Sequence, residues 1–141
     1  MSAPVGKHYG TGNMQALQKE ATGAGVVWLT IISSAPGKQG FVSAEQANAL
    51  ATSRGAAPSA IILDPTGSIG RLYGAKTTPH MYIIDSEGTL RYMGGIDDKP
   101  TTRPEDVKTA HNYVRTALAD LAAGKPVSEP VTRPYGCSVK Y

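Results

Sequence analysis

The stretch Gly74-Ala75-Lys76-Thr77-Thr78-Pro79-His80-Met81-Tyr82-Ile83-Ile84-Asp85-Ser86-Glu87-Gly88-Thr89-Leu90-Arg91-Tyr92-Met93-Gly94-Gly95-Ile96-Asp97-Asp98 decides how the chain reads. Met81 to Ile84 is a short apolar run with aromatic and β-branched residues, the composition of a buried strand. Asp85-Ser86-Glu87-Gly88 supplies turn chemistry, with Gly88 free to take positive φ. Thr89 to Met93 then alternates, with Leu90 and Tyr92 expected on one face and Arg91 and Met93 on the other. The reading is an antiparallel hairpin. Pro79 sits just before the first strand, where a missing N–H costs no ladder bond, and a Thr-Pro there is a place for a cis peptide.

Upstream, Val26 to Ile32 is apolar almost without alternation, which predicts a strand over Val26–Ser33 covered on both faces. Ala60–Leu63 reads as a second buried strand. Between them Ser43 and Gln46 form a capping box opening an Ala-rich helix that Gly55 closes. Asn13 is placed to cap a short helix carrying Met14, Leu17 and Ala21. Downstream, Thr102 with Glu105 reads as another capping box, opening a helix with Val107, Ala110, Val114, Leu118 and Leu121 on one stripe. Gly124-Lys125-Pro126 stops it.

The 141 residues suit one domain with a real core. Charged residues at 18% and hydrophobic ones at 40% mark a globular chain. The formal charge of +3 is spread without a Lys/Arg cluster, which argues against nucleic acid as a partner. No apolar run approaches the ~20 residues of a membrane helix, and Met1 to Lys7 lacks the apolar core of a signal peptide. A cytoplasmic location is the default expectation. One cysteine, Cys137, excludes an internal disulfide and a cysteine zinc cage. His8, His80 and His111 show no ligand spacing, so no metal and no cofactor are expected.

Thr78-Pro79, a strand ending in Asp85, the Gly88 turn and a second strand running into Gly94-Gly95 resemble the cis-proline hairpin of thioredoxin-like proteins. The longer string from Tyr73-Gly74-Ala75 to Ile96-Asp97-Asp98 is similar to the peroxiredoxin-like branch, the alkyl hydroperoxide reductase and thiol-specific antioxidant relatives. The resemblance spans roughly Val5 to Tyr141 and implies an α/β, thioredoxin-like three-layer fold, a mixed sheet with flanking helices. It implies a domain over residues 1–126 and a Pro-rich tail over 127–141. It also implies that the N-terminal hairpin and central strand of the family are missing, so that the order begins cut off.

In the family a reactive cysteine precedes a motif that Val5, Lys7, His8 and Tyr9 match, and in that register Ser2 stands where the cysteine belongs. A serine hydroxyl has no thiolate chemistry, so peroxide reduction by that route is not expected, and Ser2 reads as a start-site residue. The resemblance gives His8 a supporting role at a redox site; its plain reading is a surface residue at a helix start. Thr78 and Pro79 would lie where relatives hold a partner's extended chain, or would only shape a turn. Cys137, flanked by Arg133 and Lys140, reads either as a resolving or redox-sensing thiol or as an inert one packed under the tail. Asp97-Asp98 match the acidic end of the family hairpin, and adjacent carboxylates are commonly solvated. Two functions compete: a redox protein with a thiol reductant or protein disulfide partner, and a non-catalytic binding or assembly module. A gap at the sheet's centre would have to be closed by its neighbouring strands, by the tail or by another copy, and a homo-oligomer is the expectation.

Overall fold

The computed structural model describes residues 3–141, so Ser2 lies outside the described residues. The chain is a mixed α/β fold of small sheets with flanking helices. In order it runs α1 (Ala3–Gly10), α2 (Asn13–Gly23), β1 (Leu29–Ile32), α3 (Ala44–Arg54), β2 (Ala60–Leu63) and α4 (Ser68–Leu72). There follow β3 (Thr77–Thr78), β4 (Met81–Ile84), β5 (Leu90–Gly94), a 3-10 turn (Pro104–Lys108), α5 (Tyr113–Ala122) and β6 (Cys137–Ser138).

The strands form three two-stranded sheets: β1 with β2 in parallel, β4 with β5 antiparallel, and β3 with β6 antiparallel. The hairpin forms where it was expected. Gly88 takes φ 84°, its N–H donates to Asp85 O at 3.0 Å, and the Asp85 carboxylate accepts from the N–H groups of Glu87 and Thr89 at 2.9 Å each. The register differs from simple alternation. Ile83 faces Tyr92 but Ile84 faces Leu90, so Arg91 is bulged out. The bulge sends Tyr92 into the core, fully buried, and leaves Leu90 45% exposed, whereas an unbroken strand would have put both on one face.

One apolar core holds the body together. Met14 and Leu17 of α2, Val114 and Ala117 of α5, Tyr92 and Ile96 are its buried members, with Trp28, Met81 and Ile83 packed against them. The capping box of α3 is present in both directions: Gln46 N–H donates to Ser43 Oγ at 3.1 Å and Ser43 N–H to Gln46 Oε1 at 2.9 Å. Gly55 closes the helix with φ 63°. At the other end the expected Thr102–Glu105 box does not form. Pro104 starts a 3-10 turn, the Thr101 hydroxyl bonds Asp106, and Asp98 accepts from His111 N–H at 2.8 Å, which draws the chain out of helix. Helix α5 starts later, under Asn112, whose side chain accepts from Arg115 N–H at 2.9 Å.

Strand β1 is shorter than its apolar run, and it is covered on one side only. Val27, Leu29 and Ile31 are 70%, 51% and 39% exposed. No helix among the described residues is long and apolar enough to cross a membrane.

Candidate functional site

The tail, which carries no helical or strand periodicity, is laced to the body at successive points and gathers the candidate residues. It first lies along β5: Met93 N–H donates to Pro130 O at 3.0 Å, and Thr132 N–H returns to Met93 O at 3.1 Å. Thr132 Oγ1 then lies 2.6 Å from the Tyr92 hydroxyl and accepts from Gly95 N–H at 3.1 Å. Gly94, at φ 153°, is required here, because any Cβ would overlap Thr132. Burial pushes the Tyr92 phenol up to about 12, so it stays a hydrogen-bond donor.

Next, Tyr135 enters a buried polar cluster built from α1 and the segment after β5. Its hydroxyl donates to Asp97 Oδ1 at 2.6 Å and accepts from Lys7 Nζ at 3.0 Å, while His8 Nε2 lies 2.9 Å away. Lys7, His8 and Asp97 are 2%, 0% and 2% exposed, which corrects the expectation of a surface His8 and a solvated Asp97. His8 lies in the last turn of α1 rather than at a helix start. Lys7 Nζ also donates to Lys99 O at 2.8 Å, and Lys99 N–H donates to Asp97 Oδ1 at 3.0 Å. Asp97 Oδ2 has no hydrogen-bond partner among the described residues. Lys7 Nζ faces it at 3.9 Å and supplies the charge that holds it, and His8 Nε2 lies 4.0 Å away. Asp97 also pairs with Asn112 through an antiparallel backbone bridge.

The proton positions follow from the partners. Asn13 Nδ2 donates to His8 Nδ1 at 2.8 Å, which leaves Nε2 as the protonated nitrogen, donating to Tyr135. The Tyr135 oxygen then accepts twice and donates once. Its phenol is pushed far up, by burial first and then by the Asp97 carboxylate that takes its hydrogen bond. His8 is pushed down to about 4; burial is the main cause, the Asp97 charge opposes it, and Lys7 adds to it. His8 is therefore neutral at pH 7.

A pH dependence follows. The unfolded-state pKa of histidine is near 6.5, so His8 contributes stability that is complete above that value. That contribution is lost as the pH falls from ~6.5 toward ~4, where the unfolded chain binds the extra proton. The full loss is about 3 kcal/mol. Urea titrations at pH 7.5 and 4.5 are expected to differ by less in His8→Gln than in the parent chain; an equal difference would show that His8 does not carry the effect.

Beyond Tyr135 the tail becomes β6, and here the candidates meet. Thr77 is in register with Ser138 and Thr78 with Cys137, and the Thr78–Pro79 peptide is cis. Cys137 is half-buried and unpaired. Gly136 brings the tail backbone so close to Thr78 O that no Cβ fits between them. Lys140 folds back, its Nζ donating to Ser138 O and Oγ at 3.0 and 2.8 Å. The end of the chain is fastened again: Val139 N–H donates to Lys76 O at 3.1 Å, Lys140 O accepts from Ala35 N–H at 2.8 Å, and Tyr141 Oη donates to Ala75 O at 2.7 Å.

Thus Cys137 and Thr78 are partners in one short ladder, Pro79 directly follows it, and His8 is joined to it through Tyr135, two positions before the thiol. The arrangement can hold a thiol at a fixed place and a hydrogen-bonded strand edge beside it. Tyr135 and Lys7 are the members that reading the sequence for sites left out. Neither belongs to a periodic pattern, and their partner Asp97 is distant in sequence.

No family model matches this chain, and no curated protein matches it. Among solved structures it is similar to an uncharacterized conserved protein from Geobacillus kaustophilus, with 26% identity over 100% of this chain and 72% of that one, at a TM-score of 0.82. It is also similar to a hypothetical protein from Sinorhizobium meliloti 1021, with 25% identity over 90% of this chain and 71% of that one, at a TM-score of 0.71. The likeness to these two chains takes in the tail as well as the body in the first case, where every residue of this chain is covered.

Proposed function

We propose that the chain is a thioredoxin-like, peroxiredoxin-like redox protein whose working group is Cys137, acting in thiol–disulfide exchange with a thiol reductant or a protein disulfide. The observation that carries this reading is the register of Cys137 against Thr78 in the β3–β6 ladder. The element order from β1 through α3, β2, the hairpin and α5 supports a thioredoxin-like topology.

The chemistry is a single exchange. The Cys137 thiolate attacks one sulfur of a partner disulfide, forms a mixed disulfide, and releases the other sulfur as thiolate. A second thiol from solution then attacks the partner's sulfur in that mixed disulfide, leaves with it as a new disulfide, and releases Cys137 as the thiolate. With one cysteine the chain cannot close an internal disulfide. Ser2 contributes no redox step, and a reducing cytoplasm suits a lone thiol.

Oxidised glutathione serves as the test. The folded chain is expected to gain one glutathione adduct several-fold faster than the chain unfolded in urea, and Cys137→Ser is expected to gain none. A folded chain that reacts no faster than the unfolded one would remove the redox reading. Hydrogen peroxide loss in the presence of dithiothreitol should not exceed the protein-free rate after Cys137→Ser.

A second reading, a non-catalytic assembly module, draws on the bare apolar stripe of Val27, Leu29 and Ile31.

A further inference from the structure

Strands β1 and β2 run parallel, and their last residues, Ile32 and Leu63, are register partners. Just beyond these carboxyl ends lies a cavity of about 260 Å³. Ile32 and Leu63 line it, together with Phe41 and Val42 of the loop leading into α3. Pro36 and Pro65 also line it, and neither has a free φ or an N–H to present. Among the described residues the hydroxyls lining it are those of Ser34 and Ser43, and no charged side chain lines it.

We infer that this cavity is a binding site for a small uncharged aryl or alkyl compound bearing one polar hydrogen-bonding group. The position is one that open parallel sheets use for ligands, in the crevice outside the carboxyl ends of the strands. The size sets the class. An apolar cavity of ~150 Å³ accepts a benzene ring, so 260 Å³ accepts a bicyclic aromatic or a ring with a short alkyl arm.

The polar end is placed by the serines. Ser43 Oγ already accepts from Gln46 N–H as the cap of α3, so its own hydrogen remains for an acceptor on the ligand. Ser34 is held close to Gly40, where the space left for a Cβ at that glycine ends 2.7 Å from Ser34 Oγ. Phe41 is 42% exposed and sits between the positive-φ Gly40 and the helix, placed to cover one side of the mouth.

The site stands whether or not Cys137 exchanges disulfides.

Indole is the probe, followed by amide chemical shifts of the full chain. Saturable shifts are expected at Ile32, Ser34, Phe41, Val42 and Leu63. Val42→Trp, which fills the cavity from a loop position, is expected to weaken binding at least tenfold at unchanged urea midpoint, and Phe41→Ala is expected to weaken it less. Benzoate is expected to bind more weakly than indole. The inference is overturned if the shifts fall on Val27, Leu29 and Ile31 instead, if Val42→Trp binds indole as the parent does, or if no shift saturates up to the solubility of indole. Should Val42→Trp unfold, unchanged binding by Phe41→Ala and by Ser34→Trp together would overturn it equally.

Discussion

Asp97→Ala is expected to cost about 3–5 kcal/mol, as removal of one partner of a buried ion pair does. Lys7 is 2% exposed and would keep only the Lys99 carbonyl and the Tyr135 oxygen as partners, neither of them charged. The Tyr135 hydroxyl, half-enclosed by Lys7 and His8, would lose its one acceptor. Folded stability of an ordinary domain is only ~5–15 kcal/mol, so this change takes much of it. The loss has a second consequence. Tyr135 is the last anchor of the tail before Cys137, so Asp97→Ala should also raise the alkylation rate of Cys137 in the chain that remains folded. Asp97→Asn keeps the shape and removes the charge, and should fall between. The double variant Lys7→Met, Asp97→Leu should recover most of the loss, because exchanging a buried ion pair for apolar residues of similar volume is often neutral. Urea unfolding decides it. A cost under ~1 kcal/mol for Asp97→Ala, the value of an exposed pair, would mean that the cluster is not buried as described.

The cluster also shows where reading the sequence stops. Elements set by neighbours in the chain were legible: the Ser43–Gln46 box needs residues three apart, and the Gly88 turn is fixed by Asp85. The Ala60–Leu63 strand appears with its expected bounds. Where two local signals competed, the distant contact won. Thr102 and Glu105 carry a cap pattern, but the bonds of Asp98 to His111 and of Thr101 to Asp106 override it. The bulge at Arg91 had no visible signature, and it is what turns Tyr92 inward while Leu90 stays out. In the site, the cis peptide at Thr78–Pro79 was readable from the dipeptide and its place before a strand. The tail was not. Pro130 and Pro134 argue against a central strand, and indeed the tail forms none; it makes one bridge to Met93 and a two-residue ladder with β3. Lys7, His8, Asp97 and Tyr135 are brought together by folding alone, each looking like a solvated residue in its own segment.

A stable assembly of two or more copies is expected at micromolar concentration, and its basis is the unfinished side of β1. Among the described residues β1 pairs only with β2, and β4 only with β5, so β1 and β4 each keep an outer edge of N–H and C=O groups that no strand pairs with. Such edges pair with further strands. Of the ways to cover them within one chain, direct pairing of β1 with β4 is not used, and the tail is engaged elsewhere, with β3 and Met93. The side chains point the same way. Val27, Leu29 and Ile31 alternate along the chain and form an apolar stripe exposed by 70%, 51% and 39%, while Trp28 on the opposite side packs on the core. Full burial of a Val, Leu or Ile side chain stabilises by about 1.5–3 kcal/mol, so covering this half-exposed stripe gives a few kcal/mol per protomer before any strand pairing is counted. A strand or face from an identical chain fits because a symmetric pair covers both copies at once. Sedimentation equilibrium should therefore give at least twice the monomer mass. Val27→Lys combined with Leu29→Lys, both at exposed positions, should shift it to monomer without loss of helical signal, since neither side chain supports the core. A parent chain that sediments as a cooperatively folding monomer at tens of micromolar would exclude the assembly, and the stripe would then be an apolar surface that this fold tolerates in water.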